Sequence, residues 1–294
     1  MPRRLRTTTH QALALPRGKI DALRQMLLCV GAYLFYVLVR ALVYGSAFQP
    51  GYKPFGDATT IIHLERVLHV FAEPSIQAWV AGRHWLMDSA DWIYLNGHFV
   101  VTLVALVFIY MRRNDSFYFV RNMFMIAMAI ALVGYALYPT APPRLMPEWG
   151  FTDSIQQFTG VQVEHGGATD ALLNLYAAVP SMHVAFALML GFPMARLVRR
   201  RPARIAWRLY PLLITFAVVA TGNHYLIDVL LGALTAGAAA LLAGRVLARV
   251  RPRAWPVRRQ VGAGAGPVSA SSQPGPRAWP VRPPARRPAR RSAA

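Results

Sequence analysis

The chain has 294 residues, of which 55% are hydrophobic and only 15% charged. That balance is too apolar for an ordinary water-soluble domain and fits several membrane spans. The net charge of +20 comes from 32 basic residues against 12 acidic ones, and the arginines fall in short runs between or beyond apolar stretches. No polar, folded basic domain exists to grip a nucleic acid, so that function class is set aside, and a single cysteine, Cys29, excludes an intrachain disulfide or a cysteine-based metal cluster.

Windows of about 20 predominantly apolar residues mark candidate membrane helices. In chain order they are residues 25–47, 92–111, 117–138, 181–198, 207–221 and 225–247. The expected fold is therefore all-α: a polytopic membrane bundle of about six helices, spanning 23–247. The first window follows Arg3, Arg4, Arg6, Arg17, Lys19 and Arg24, but it is longer than a signal-peptide core and lacks a small-residue cleavage site. It reads as a retained anchor behind a basic segment, 1–22. Residues 248–294 are rich in Arg, Pro, Ala, Gly and Ser and repeat Arg-Ala-Trp-Pro-Val-Arg at 253–258 and 277–282. Such a composition cannot bury a core, so a disordered tail is expected, its arginines drawn to anionic lipid.

Orientation follows from the basic loops, because Lys and Arg near span ends stay on the cytoplasmic side. With six spans, the N-terminus, Arg112 and Arg113, the run from Arg196 to Arg208 and the tail after Arg245 all share one side. Both termini are expected in the cytoplasm of a multi-pass cell-membrane protein. The opposite side holds 48–91, 139–180 and the turn at Asn223, with most of the acidic residues. There Ile61, Ile62, Leu64, Val67, Leu68, Val70 and Phe71 recur near helical spacing among His63, Glu65 and Arg66. This predicts an amphipathic helix, either lying on the outer interface or capping the bundle.

Ionisable residues in or at the ends of spans are costly and point to function. Three polar segments fall at outer span ends: Tyr138-Pro139-Thr140-Ala141-Pro142-Pro143-Arg144, Pro180-Ser181-Met182-His183, and Thr221-Gly222-Asn223-His224-Tyr225-Leu226-Ile227-Asp228. Alternating span direction brings all three to one leaflet. His224 and Asp228 are four residues apart, which on a helix places them on one face. A carboxylate that fixes one ring nitrogen leaves the other as a nucleophile or base. Ser181 follows a proline at a helix start, where its hydroxyl and unpaired backbone N–H groups suit an anion. His183, in that first turn, is placed to protonate a leaving oxygen. Arg144 offers a permanently charged fork for phosphate oxygens. Together these residues make a phosphate pocket that needs no metal and no cofactor.

Each residue also has a structural reading. His224 with Asp228 could be a buried structural pair, His183 an interfacial histidine, Arg144 a snorkelling side chain and Ser181 a simple cap. His98, in Asn96-Gly97-His98-Phe99, either lines the pocket or packs between helices. Arg121 lies about 18 residues, roughly 27 Å, from the outer end of its helix and is expected to snorkel to the inner surface. Met123, Met125 and Met128 read as packing.

These segments resemble the three-motif signature of the type-2 phosphatidic acid phosphatase superfamily, and within it the branch that includes the inositol phosphorylceramide synthases. The resemblance covers roughly residues 23–247 and implies a six-helix core. It also implies that His183 protonates the leaving group, that His224 attacks phosphorus and that Asp228 orients His224. Departures from the phosphatase members are visible: Met182 replaces a glycine, Val218 an arginine six residues before the histidine, and Leu137 a lysine seven residues before Arg144. Phosphate charge then falls to Arg144 and the helix terminus, with Arg40 and Lys53 as further candidates.

The expectation is a metal-independent lipid phosphatase or phosphotransferase that acts at the extracytoplasmic leaflet on a lipid phosphate or phosphodiester, through a phosphohistidine. Its partners would be the lipid substrate and the membrane. The alternative is a non-catalytic headgroup-binding carrier or scaffold, which has no need of a paired nucleophile and proton donor. A channel or ion-coupled transporter fits less well, because the polar residues gather at one face and not at midplane.

Overall fold

In hydrocarbon the backbone must satisfy its own hydrogen bonds, so each apolar run folds as a helix. The computed structural model describes residues 17–47, 53–160 and 179–247, all within the compact unit Met1–Arg258. Most of the basic N-terminal segment and the whole of the expected tail lie outside the described residues. In chain order come α1 (Gly18–Ala47), α2 (Lys53–Val67), α3 (Glu73–Ala81) and α4 (His84–Trp92). A π-helical turn (Ile93–Gly97) then leads into α5 (His98–Arg112), followed by α6 (Asn114–Leu137). Two 3₁₀ turns (Pro143–Leu145, Pro147–Trp149) lead to α7 (Ser154–Thr159), then α8 (Met182–Leu197), α9 (Arg201–Ala220) and α10 (Leu226–Leu241), which runs on as a π-helical end (Leu242–Leu247). No β-strand occurs among the described residues.

Among the described residues, five helices are long and apolar enough to cross a membrane: α1, α4 continued through α5, α6, α9, and α10 with its extension. The protein is thus a membrane helical bundle. The expected edges move outward for the second and fifth spans, which begin at His84 and Arg201 instead of residues 92 and 207. Hydropathy stops at the first charged or polar turn, whereas backbone hydrogen bonding continues through it; Pro202 suits the start of α9, where its missing N–H costs nothing.

The fourth expected span, α8, has 16 residues, about 24 Å at 1.5 Å per residue. That falls short of a hydrocarbon core of about 30 Å. It packs against α5, α6, α9 and α10, and its start at Pro180, Ser181 and Met182 is buried. The N-terminus of the central helix is therefore sunk inside the bundle, and this recess becomes the candidate site.

Helix α2 departs from the expected amphipathic pattern. Ala58, Ile61 and Ile62 face inward, but so does Glu65, which is fully buried, while Leu64, Val67 and Leu68 are exposed. The helix packs on α10, and its inward acid has a backbone partner there.

Gly232 of α10 lets the helix approach α8 closely: a Cβ at this position would stand 2.3 Å from Ser181 O. Gly232→Ala is expected to force α10 off the start of α8 and to lose about 1–3 kcal/mol to overpacking. A lowered melting temperature of the purified protein in detergent checks this; an unchanged one would show that the helices separate freely at this point.

Candidate active site

The site grows from the turn between α9 and α10. After α9 the chain passes Thr221 and Gly222, whose φ of +65° is left-handed. A Cβ there would also meet Gln77 Nε2 at 2.8 Å and the Arg144 backbone N at 3.2 Å, so the turn requires glycine. The Asn223 and His224 N–H groups both donate to Val218 O, at 2.9 and 3.2 Å. Tyr225, in extended conformation, is the N-cap of α10.

His224 therefore precedes the helix, which corrects the expectation that His224 and Asp228 share one helical face. They meet because Asp228, in the first turn of α10, folds its carboxylate back over the helix start. Its Oδ2 accepts the Tyr225 N–H at 3.0 Å and lies 3.4 Å from His224 Nδ1. Nδ1 makes no hydrogen bond of good geometry, so at this length the contact is an electrostatic approach. Catalytic contacts commonly tighten only when substrate arrives. Asp228 is fully buried and His224 nearly so.

α8 delivers the second histidine. Ser181 caps the helix, its Oγ accepting the Val184 N–H at a long 3.5 Å, and its own N–H donates to Asp228 O at 3.1 Å. This ties the start of α8 to the start of α10. His183 follows in the first turn, with its ring centroid 5.8 Å from that of His224 and 5.3 Å from that of His98. Tyr94 and Phe99 flank it at 4.6 and 5.7 Å. His98 is buried just after the π-helical turn, with Nδ1 2.8 Å from the Tyr210 hydroxyl. Such π-helical turns inside helices are frequent at functional sites. Three histidines from α5, α8 and the turn before α10 thus converge.

Arg144 is fastened to the same turn. Its backbone N–H donates to Gly222 O at 2.7 Å, its Nε to Asn223 Oδ1 at 3.1 Å, and its Nη1 pairs with Asp153 Oδ2 at 2.7 Å. Of the other cation candidates, Lys53 donates to Leu137 O at the end of α6, and the Arg40 side chain lies outside the described portion. Arg121 is remote, as expected, but it does not simply snorkel: Gln25 Oε1 and Asn122 Oδ1 hold it among the helices.

Sequence reasoning missed four acids. Glu73 Oε1 accepts the Leu226 N–H and Glu65 Oε1 the Ile227 N–H, both at 2.8 Å. With Asp228 on Tyr225, three carboxyl groups satisfy successive N–H groups at the start of α10, where the helix dipole also favours negative charge. Burial, and then the neighbouring Glu73 carboxyl, raise Glu65 to about 9. Glu65 Oε2 and Glu73 Oε2 meet no N–H or O–H donor, so a proton held by the pair relieves their repulsion. Asp91 accepts the Ser154 hydroxyl at 2.9 Å, and Asp153 holds Arg144. The readable signal was Glu65 at helical spacing from Ile61 and Ile62; Glu73 and Asp91 carried none, since their partners lie 153 and 63 residues away, and Asp153, nine residues from Arg144, stands at no regular spacing that links the two.

Glu65→Ala would strand the buried Ile227 N–H and cost about 1–3 kcal/mol, whereas Glu65→Gln keeps an acceptor oxygen. Glu65 stays protonated in the fold up to about pH 9 but ionises near 4.5 when unfolded. The folded state holds the extra proton between these values, so stability is lost as pH rises through the window. Melting in detergent from pH 5 to 9 should show this fall in the wild type and a shallower one in Glu65→Gln; equal slopes would refute the buried proton.

No curated protein and no solved structure matches the chain. Residues 59–242, which contain all three polar segments and every residue of the site, match the PAP2 superfamily. The chain belongs to the PAP2 superfamily, whose members are generally phosphatases and phosphotransferases, and its function is of the membrane lipid phosphatase type.

Proposed function

We propose that the protein transfers a phosphoryl or substituted phosphoryl group from a lipid phosphate or phosphodiester at the extracytoplasmic leaflet, through a phosphohistidine on His224. The observation that carries this reading is the pairing of two histidines, 5.8 Å apart, one of which turns Nδ1 toward a buried carboxylate. With Nδ1 held by Asp228, the His224 lone pair at Nε2 forms the P–N bond while the bond from phosphorus to the leaving oxygen breaks. His183 gives that oxygen its proton. In the second half, water or an acceptor hydroxyl attacks phosphorus, His183 removes its proton, and the P–N bond breaks. Arg144 and the recessed start of α8 at Ser181 meet the phosphate oxygens, and His98, its ring centroid 5.3 Å from that of His183, packs beside it. None of these steps calls on a metal ion.

Water as acceptor makes a phosphatase; a polyol or lipid hydroxyl makes a transferase, as in the inositol phosphorylceramide synthase branch that the motifs resemble. The acidic character of 48–91 and 139–180 against the basic runs on the other side supports an N-in, C-in topology, which turns the site to the outer leaflet.

Turnover of a panel of lipid phosphates and phosphodiesters, in detergent with chelator, tests this. His224→Asn is expected to lose at least about 10³-fold and His183→Asn about 10²–10⁴-fold, and radiolabelled phosphate should be trapped on histidine in the wild type only. Retained turnover in His224→Asn would sink the mechanism. Binding without turnover or adduct would instead identify a headgroup-binding carrier.

A further inference from the structure

The proposed chemistry needs positive charge around phosphate, and the outer face of this bundle has little. Its described basic residues are Lys53, Arg66, Arg83 and Arg144, the Arg40 side chain lying outside the described portion. Lys53 is spent on Leu137 O. The Arg66 guanidinium lies over the Trp149 ring at 5.6 Å, and that of Arg83 over Trp79 at 4.1 Å with Nη1 on Trp79 O. Arg144 alone reaches the turn that carries His224, and its Nη1 is paired with Asp153 at 2.7 Å.

This ion pair is built into the site. Arg144 is 6% exposed and fixed by Gly222 O and Asn223 Oδ1. Asp153 is fixed from its other oxygen, because Oδ1 accepts the Gln156 N–H at 3.1 Å as the N-cap of α7. Behind it, the buried Asp91 lies close enough to interact with both Arg144 and Asp153. Arg144 Nη2 has no partner among the described residues, so an oxyanion can still take a hydrogen bond from the guanidinium. It gains no net countercharge from the pair. What remains is the start of α8, worth about half a charge, and that suits one negative charge far better than two.

We propose that Asp153 is a specificity-determining residue: by neutralising Arg144 it makes the site select a singly charged phosphate group, as in a lipid phosphodiester, over the doubly charged group of a lipid phosphomonoester. This rests on the reading of Arg144 as the phosphate-binding cation. A phosphomonoester carries between one and two charges near neutral pH, with its second ionisation near pH 6, so the site accepts it mainly in its acid form.

The test compares wild type, Asp153→Asn and Asp153→Glu, as full-length protein in detergent, on a phosphomonoester and a phosphodiester with the same two acyl chains. Both kcat/KM and equilibrium binding of each lipid are measured from pH 5 to 8. Asparagine is as good an N-cap as aspartate, so Asp153→Asn removes the charge and keeps the start of α7. The wild type is expected to prefer the diester at pH 7.5 and to take the monoester progressively better below pH 6. Asp153→Asn should raise the monoester-to-diester ratio about tenfold or more and flatten that acid preference, and Asp153→Glu should keep the wild-type ratio. An unchanged ratio in Asp153→Asn, or an equal rise for both lipids, would overturn the proposal. A wild type that prefers the monoester at pH 7.5 would do the same. The binding ratio decides the matter even if neither lipid turns over, whereas the proposed phosphohistidine chemistry stands or falls separately on His224→Asn.

Discussion

The start of α10 lies inside the bundle, and a helix start buried away from water leaves N–H groups that must find acceptors. Here successive donors at Tyr225, Leu226 and Ile227 are taken by Asp228, Glu73 and Glu65. The arrangement joins three parts of the chain far apart in sequence, and the rest of the site depends on it. It holds Asp228 in the rotamer that faces His224, and it seats α2 and α3 on the end of the bundle that carries the site. The same helix start reaches α8 through the Ser181 N–H on Asp228 O. The two histidine-bearing segments are thereby fixed to each other by backbone as well as by side chains.

The site is short of cations and rich in acids, which is unexpected for a pocket meant for phosphate. Five carboxyl groups, Glu65, Glu73, Asp91, Asp153 and Asp228, surround or support it. Three satisfy the helix start and one neutralises the arginine. Buried charges persist only when they are paired, hydrogen-bonded or protonated, and each acid here has such a partner or proton. The electrostatics therefore favour a modestly charged ligand, and the proposed chemistry draws on the histidines more than on strong Coulomb attraction.

The chain itself made several features legible. Apolar windows located the spanning helices, because hydrocarbon thickness dictates their length. The three polar segments singled out His183, His224, Asp228 and Arg144, because ionisable groups at span ends are too costly to be incidental. Gly222 and Gly232 were not readable in this way: their need for a missing side chain comes from Arg144, Gln77 and Ser181 O, which arrive from other helices. The inward face of α2 was misread, since hydropathy assigns a glutamate to water unless its backbone partner is known.

Composition, spacing and local motif chemistry thus determined the helical membrane class, the superfamily and the candidate site residues, all properties of short stretches of chain. Tertiary structure alone decided that His224 stands outside the helix and is reached by Asp228 folding back, that His98 joins His183, and that Asp153 occupies Arg144. The physical reason is that a hydrogen bond or ion pair between groups 9 residues apart, or 162, depends on how intervening helices pack. That packing is a global outcome of burial and close approach, which no local pattern records.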